Sequence, residues 1–199
     1  MILDEKLARE IYGSAAPDCW NKEWKQVERF GGGMAIELEV GEFLNALVRM
    51  TKPAVVVETG THKGFSTLMI AQALKANGKG HLYTVDLKDH GVVKECEQFG
   101  VASFVTFAKD DSAAAISKLS PRVKNIDFLW LDADHSTEAV IKELNAALPM
   151  LRNGTLVAFH DVITDPREAK AITEIRKRFP AWEYINFITA RGFALMRVQ

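Results

Sequence analysis

The sequence is poor in the residues that staple or anchor a chain. Its 199 residues include two cysteines, Cys19 and Cys96, far apart and outside any Cys-x-x-Cys pair. Such usage excludes a disulfide framework or a thiolate zinc site and suits a reducing compartment. No stretch approaches the ~20 consecutive apolar residues of a membrane span. Met1-Ile2-Leu3-Asp4-Glu5-Lys6 also lacks the basic and apolar regions of a signal peptide. A soluble, cytoplasmic protein without a membrane partner is therefore expected. Excess charge is missing as well: the formal net charge is −1, and the scattered basic residues leave no footprint for nucleic acid. The longest basic cluster, Arg176-Lys177-Arg178, falls at an expected helix C-terminus, where cations are favoured. Repeats, low-complexity tracts and a second-domain linker are absent from the pattern.

What remains is a composition of ordinary globular kind, 48% hydrophobic and 26% charged, at a length that suits one domain. Short apolar runs alternate with helical patterns, as in βαβ units with a parallel sheet. The runs are Ala54 to Val57 ending at Glu58, His81 to Val85 ending at Asp86, and Ala102 to Phe107 followed by Asp110-Asp111. Two more follow: Ile126 to Leu131 ending at Asp132, and Thr155 to Phe159 ending at His160-Asp161. Nearly all finish on polar, mostly acidic residues, which gathers those residues at the edge of the sheet where ligands bind.

Between the runs, the spacing predicts helices over Ser66–Ala76, Thr137–Leu148 with Ser136 as N-cap, and Pro166–Phe179 with proline in its first turn. Trp182 to Phe187 and Phe193 to Val198 read as a closing antiparallel hairpin around Arg191-Gly192. Residues 1–30 read as helical, with Trp20, Trp24 and Val27 on one face, before a break at Gly31-Gly32-Gly33 and a helix near Glu42–Met50. The Trp20/Trp24/Val27 stripe reads as helix packing ahead of a substrate lid.

The turn after the first run carries Gly60 and Gly64 in Gly-x-x-x-Gly spacing. Glycines there permit positive φ and close approach of a ligand. A dinucleotide fold prefers Gly-x-Gly-x-x-Gly over a pyrophosphate; here the third glycine is missing and Glu58 stands where it would repel that group. A carboxylate at this point suits a cationic ligand, such as an amino-acid ammonium near a sulfonium. Lys63 precedes its glycine, so the phosphate-loop pattern also fails. Asp86, at the end of the second run, is placed to accept hydrogen bonds from a ribose diol.

Val57-Glu58-Thr59-Gly60-Thr61-His62-Lys63-Gly64-Phe65-Ser66 resembles the first motif of class I S-adenosylmethionine-dependent methyltransferases of the small-molecule O-methyltransferase kind. Ile126 to Ser136, Leu148 to Gly154 and Phe159-His160-Asp161 are similar to a bacterial branch of that group, which acts on sugars and macrolide precursors and is akin to catechol O-methyltransferases. The resemblance covers roughly residues 40–198. It implies a Rossmann-like three-layer sandwich whose seven-stranded mixed sheet has six parallel strands, an antiparallel strand 7, and helices on both faces. Residues 1–52 would form an N-terminal helical substrate region and 53–199 the cofactor core of a single domain.

The resemblance also implies roles. Glu58, Gly60, Thr61, His62, Gly64 and Ser66 would form the methionine side of an S-adenosylmethionine site, with Asp86 at the ribose and Asp111-Ser112 near the adenine. Asp132 borders both cofactor and acceptor. In metal-dependent members a divalent ion is held by residues matching Asp132, His160 and Asp161, although a histidine at the fifth strand departs from the usual pair of acids or acid and amide. Oxygen ligands suit Mg²⁺, and a histidine nitrogen tilts the set toward Mn²⁺. His135, three residues past Asp132, occupies the position of the general base; histidine suits this because it titrates near neutrality. Each role has a plainer counterpart: Asp132 as turn cap, His135 as a hydrogen-bonder of its own turn, His160 as a base or supporting residue, His62 facing solvent, Asp134 structural. The expected partner is a small-molecule acceptor, methylated at a hydroxyl, with a homodimer left open. A nicotinamide-dependent oxidoreductase and a non-catalytic S-adenosylmethionine-binding module are the alternatives.

Overall fold

The computed structural model describes residues 35–199. The helical reading of residues 1–30, its Trp20/Trp24/Val27 stripe, Cys19 and the triple glycine lie outside the described residues. The chain runs α1 (Leu38–Thr51), β1 (Val55–Thr59), α2 (Phe65–Asn77), β2 (His81–Asp86), α3 (Val92–Gln98) and β3 (Val105–Lys109). It continues through α4 (Ser112–Leu119), β4 (Phe128–Leu131), α5 (Thr137–Ala147), β5 (Leu156–His160), α6 (Pro166–Arg178), β6 (Glu183–Phe187) and β7 (Phe193–Arg197).

The strands form one sheet in the order β3-β2-β1-β4-β5-β7-β6. Pairings among β1 to β5 are parallel, whereas β7 is antiparallel to both β5 and β6. Six strands therefore point one way and β7 the other, as expected. The chain leaves β1 toward β2 on one side and later returns to place β4 on the other. That reversal opens a crevice beyond the carboxyl ends of β1 and β4, where ligands of such sheets bind.

Period-two alternation along the strands builds a core on each face. Val56, Phe128, Trp130, Ala158 and Phe193 face α1, α2 and α3. Val57, Leu129, Leu131, Val157, Phe159 and Met196 face α4, α5 and α6. Truncating a buried residue such as Leu129 to alanine costs about 2–5 kcal/mol, because a close-packed interior refills a cavity only in part. Helix α2 is covered over most of its circumference, with every residue from Phe65 to Leu74 buried. It lies between the sheet and α1, whose buried stripe includes Leu44, Leu47 and Val48.

The helix boundaries follow local chemistry. Ser136 caps α5 by accepting from the Ala139 N–H at 3.3 Å, and Pro166 opens α6 behind an Asp165 cap. Arg176, Lys177 and Arg178 occupy the last turn of α6. There Arg176 lies over the Tyr184 ring and Arg178 donates to the Asn145 side chain at 2.5 Å, so the basic cluster is a helix terminus packed on its neighbours. The third apolar run divides: Ala102–Phe104 is a 3-10 turn and the strand starts at Val105. Short helices α3 and α4 went without a sequence signal, being 7 and 8 residues long. The helix expected near Glu42 begins earlier, at Leu38. Among the described residues no helix is long and apolar enough to cross a membrane.

Candidate active site

A cavity of about 590 Å³ lies over the crevice between β1 and β4, a size typical of small-molecule sites. Gly60, Thr61, His62, Ser66, Asp86, Asp111, Ser112, Asp132, His135 and His160 all line it. Of the residues singled out by sequence, Glu58, Gly64 and Asp161 are not among the lining residues.

The turn after β1 is built for close approach. Gly60 has φ +83°, and a Cβ there would stand 2.0 Å from the Asp132 carbonyl oxygen. Only glycine lets the β1 turn and the β4 end come this close. Gly60 and Thr61 donate their N–H groups to the Val85 carbonyl at 3.0 and 3.3 Å, and the Thr61 and Thr84 hydroxyls meet at 2.5 Å. His62 adopts φ 45° and gives its N–H to Asp86 Oδ2 at 2.7 Å. The other Asp86 oxygen accepts from the Lys88 N–H at 3.0 Å. Each oxygen keeps a lone pair for a ligand hydroxyl. Burial, then the neighbouring His90, lowers the pKa of His62.

Glu58 acts from behind the cavity. It is fully buried, and its carboxylate accepts from the Ser66 hydroxyl at 2.5 Å and the Thr67 hydroxyl at 2.6 Å. Burial outweighs these bonds and pushes its pKa up to about 7. Ser66, in the first turn of α2, does line the cavity, so Glu58 fixes the hydroxyl of a cavity-lining residue. At the opposite wall Asp111 caps α4 through the Ala114 N–H at 2.9 Å and pairs with Lys142 at 3.2 Å. Ser112 donates to Glu143, which also accepts from Thr59 Oγ1 at 3.1 Å. Burial pushes the Glu143 carboxyl up to about 7.

The ends of β4 and β5 form a second cluster. His160 is 1% exposed, tilted against the Trp130 ring at 5.9 Å. Its Nε2 lies 2.6 Å from Glu37 Oε2. Among the described residues its Nδ1 has no hydrogen-bond partner of good geometry, although Asp132 Oδ1 and Asp161 Oδ2 stand 3.3 and 3.4 Å away. Burial opposes a charged ring, but Asp132, Asp161 and Glu37 overcome it and hold the His160 pKa well above its ordinary value. Asp161, at φ 58°, is gripped by Arg191, whose Nε and Nη2 donate to its two oxygens at 2.5 and 2.6 Å. His160 and Arg191 together keep its pKa far below the usual carboxylate range, against the opposing effect of burial.

His135 reaches the same cluster from the turn before α5. Its Nε2 is 3.3 Å from Asp161 Oδ2 and its Nδ1 is 3.8 Å from Glu168 Oε2. Glu168, more than burial can offset, raises the His135 pKa. The Glu168 carboxyl is itself pushed up to about 7 by burial. Ligand atoms of Asp132, His135 and Asp161 all fall within 4.8 Å of one another. Asp134, by contrast, accepts from the Ser136 N–H at 2.8 Å and serves the start of α5.

Four participants were missed by sequence reasoning: Glu37, Glu143, Glu168 and Arg191. Two carried a readable signal. Glu143 shares the inward stripe of α5 with Val140, Leu144 and Ala147, and Glu168 that of α6 with Ala171, Ile172 and Ile175. A carboxylate on an apolar face is costly without a partner. Glu37 and Arg191 carried none, since each meets the site only through folding.

A parallel sheet with a reversal point, a glycine turn at its crevice and an acid at the end of β2 place this chain among open α/β folds, whose ligands bind at that crevice. The particular family follows from sequence comparison: the pattern described as a methyltransferase domain matches residues 57–162, over half of the chain. The chain belongs to this methyltransferase-domain family. Among relatives, a caffeoyl-CoA O-methyltransferase of Populus kitakamiensis is 22% identical over 187 residues, covering 87% of this chain and 77% of that protein. Caffeoyl-CoA O-methyltransferase 1 of Zea mays is 25% identical, covering 65% of this chain and 51% of its own length. A catechol O-methyltransferase of Niastella koreensis is 28% identical, with coverages of 63% and 57%. The chain thus spans about half to three quarters of these relatives.

Solved structures agree on the fold. The O-methyltransferase of Bacillus cereus in complex with SAH matches with a TM-score of 0.71 at 18% identity, over 83% of each chain. The O-methyltransferase of Streptomyces achromogenes involved in tomaymycin synthesis, solved with SAM, gives 0.69 at 20% identity over 83% of this chain and 82% of that one.

Proposed function

We propose that this chain is an S-adenosylmethionine-dependent methyltransferase that methylates a hydroxyl oxygen of a small molecule. One observation carries the reading: a single cavity joins the Gly60–Ser66 turn and Asp86 to the Asp132, His135 and His160 cluster. The family assignment and the O-methyltransferase names of the relatives support it. S-adenosylmethionine fits the first half. The β1 turn has no side chain at Gly60, the N-terminal turn of α2 faces the cavity through Ser66, and Asp86 keeps acceptor capacity for a ribose diol. When bound, the cofactor supplies an activated methyl group and departs as a neutral thioether.

The chain's own residues then have three tasks. The β1 turn and Ser66 hold the methionine portion, while Asp86 and the Asp111-Ser112 wall hold ribose and adenine; fixing both reactants in line supplies much of the acceleration. His135 receives the proton of the acceptor hydroxyl, and Glu168 and Asp161 beside its ring stabilise the charge that results. The partly exposed Asp132 turns the acceptor oxygen toward the methyl group. A divalent cation also fits: ligand atoms of Asp132, His135 and Asp161 lie within 4.8 Å of one another, His160 Nδ1 stands 3.3 and 3.4 Å from the two aspartates, and an ion there would lower the pKa of a bound hydroxyl. Asp132, His160 and Asp161 are the residues that would hold it. The acceptor is a small hydroxylated molecule, catechols and acyl-linked phenols being the first to try.

The test is calorimetry with S-adenosylmethionine, followed by chromatographic detection of S-adenosylhomocysteine with phenolic, catecholic and sugar hydroxyl acceptors. Binding with acceptor-dependent product formation is expected. A folded protein that does not bind the cofactor sinks the reading.

A further inference from the structure

Glu37 has no place in the chemistry above, yet it is buried to 1% exposure and engages three groups. One oxygen lies 2.6 Å from His160 Nε2. The other accepts from the Arg191 N–H at 2.8 Å and the Thr189 hydroxyl at 3.3 Å. Arg191 in turn clasps Asp161 and donates from Nη1 to the Ala35 carbonyl at 3.1 Å. Glu37 therefore ties the segment before α1, the end of β5 and the β6–β7 connection into one unit behind the Asp132–Asp161 gap.

The consequence falls on the other side of the imidazole. A carboxylate that accepts the Nε2 proton leaves Nδ1 as the face turned to the gap, where a bound ion would take the place of the Nδ1 proton that the aspartates otherwise favour. That atom is buried, lacks a well-aligned hydrogen-bond partner among the described residues, and lies 3.3 and 3.4 Å from oxygens of Asp132 and Asp161. Ligand atoms about 2.1 Å from a shared ion stand roughly 3.0–3.4 Å apart for octahedral to tetrahedral angles. The spacing is that of a ligand set; Asp161 Oδ1 is taken up by Arg191 Nε and the Thr164 hydroxyl, while Oδ2, the oxygen that faces His160, accepts from Arg191 Nη2 and keeps a lone pair for an ion.

We propose that Glu37 is a positioning residue for His160, turning Nδ1 toward the Asp132–Asp161 gap so that the centre offers nitrogen as well as oxygen and favours Mn²⁺ over Mg²⁺. The inference rests on the cation site suggested above, not on methyl transfer itself. Its chemistry is general: an imidazole in an otherwise oxygen set favours a transition ion, while Mg²⁺ prefers oxygen and keeps its waters. Glu37 lies outside the stretch matched by the family pattern, residues 57–162.

The experiment is calorimetric titration of the full chain with MnCl₂ and MgCl₂, alongside visible absorption with Co²⁺ as a probe of nitrogen ligation. Mn²⁺ is expected to bind at least tenfold more tightly than Mg²⁺. His160→Asp should reduce that preference below threefold and remove the nitrogen signature of Co²⁺. Glu37→Ala should weaken Mn²⁺ binding by roughly ten- to a hundredfold, the usual effect of removing such a supporting carboxylate, and Glu37→Gln should fall between. Circular dichroism and S-adenosylmethionine affinity, measured on the same samples, report whether each variant is folded. Equal affinity for the two ions, no ion binding, or full Mn²⁺ affinity in folded Glu37→Ala overturns the inference. Should Glu37→Ala fail to fold, the His160→Asp comparison decides. Cofactor binding that persists in any of these cases leaves the methyltransferase reading standing; loss of cofactor binding in the wild-type chain strikes that reading alone.

Discussion

The two ends of the cavity are held by different kinds of structure. At the Gly60–Ser66 end, the positions are set by backbone: positive φ at Gly60 and Gly64, N–H groups on the Val85 carbonyl, and the first turn of α2. At the His160 end, side chains from far apart in sequence do the holding. Glu37 to His160 spans 123 residues and Glu37 to Arg191 spans 154. A backbone-defined site is rigid because it shares the hydrogen bonds of the sheet and helix. A side-chain cluster carries the charges, and removing one partner leaves another buried and unpaired. The comparison suggests a division of labour, with cofactor grip at the first end and control of the acceptor proton and oxygen at the second.

The sharpest break of that division is His135→Ala. If His135 takes the acceptor proton, kcat should fall by ~10²–10⁴-fold, while affinities for S-adenosylmethionine and Mn²⁺ stay within about threefold. Steady-state rates and calorimetry on the same variant check this. A parallel collapse of Mn²⁺ affinity would instead make His135 an ion ligand, as its place within 4.8 Å of Asp132 and Asp161 ligand atoms allows.

The complementary variant lies at the other end. Asp86→Ala removes a carboxylate placed for the ribose and should weaken the cofactor by roughly ten- to a hundredfold, the value of a charge-assisted hydrogen bond or two. At saturating cofactor, kcat should change little. A large loss of kcat with unchanged affinity would contradict the assignment of grip to this end.

A smaller effect concerns stability. Glu143 has its carboxyl pushed from 4.5 up to about 7 by burial. Below pH 4.5 the group is protonated in folded and unfolded chains alike, so its favourable contribution is fully present. As pH rises toward 7 the unfolded chain ionises first, and the folded state loses stability relative to it. Glu143→Gln should flatten this decline by on the order of 1–2 kcal/mol between pH 4.5 and 7, measured by urea unfolding across that range. An unchanged slope would mean that Ser112 and Thr59 hold the carboxylate charged after all.

What the sequence by itself determined is the local and periodic part of this protein. The apolar runs ended in acids because the strands deliver those residues to one edge, and Gly60 and Gly64 were readable because a tight turn demands them within a few residues. Hence the sheet, its direction reversal at β7, the helices α2, α5 and α6, and the polar residues that line the cavity from the strand ends could be anticipated. Helices α3 and α4 escaped because 7 and 8 residues give too few turns for a period to show. Only the tertiary structure decided the rest: that Glu58 meets Ser66 behind the cavity, that Arg191 clasps Asp161, and that Glu37 meets His160. Those are meetings of side chains across the fold, set by which strands pair and where loops return. No spacing within a short window encodes them.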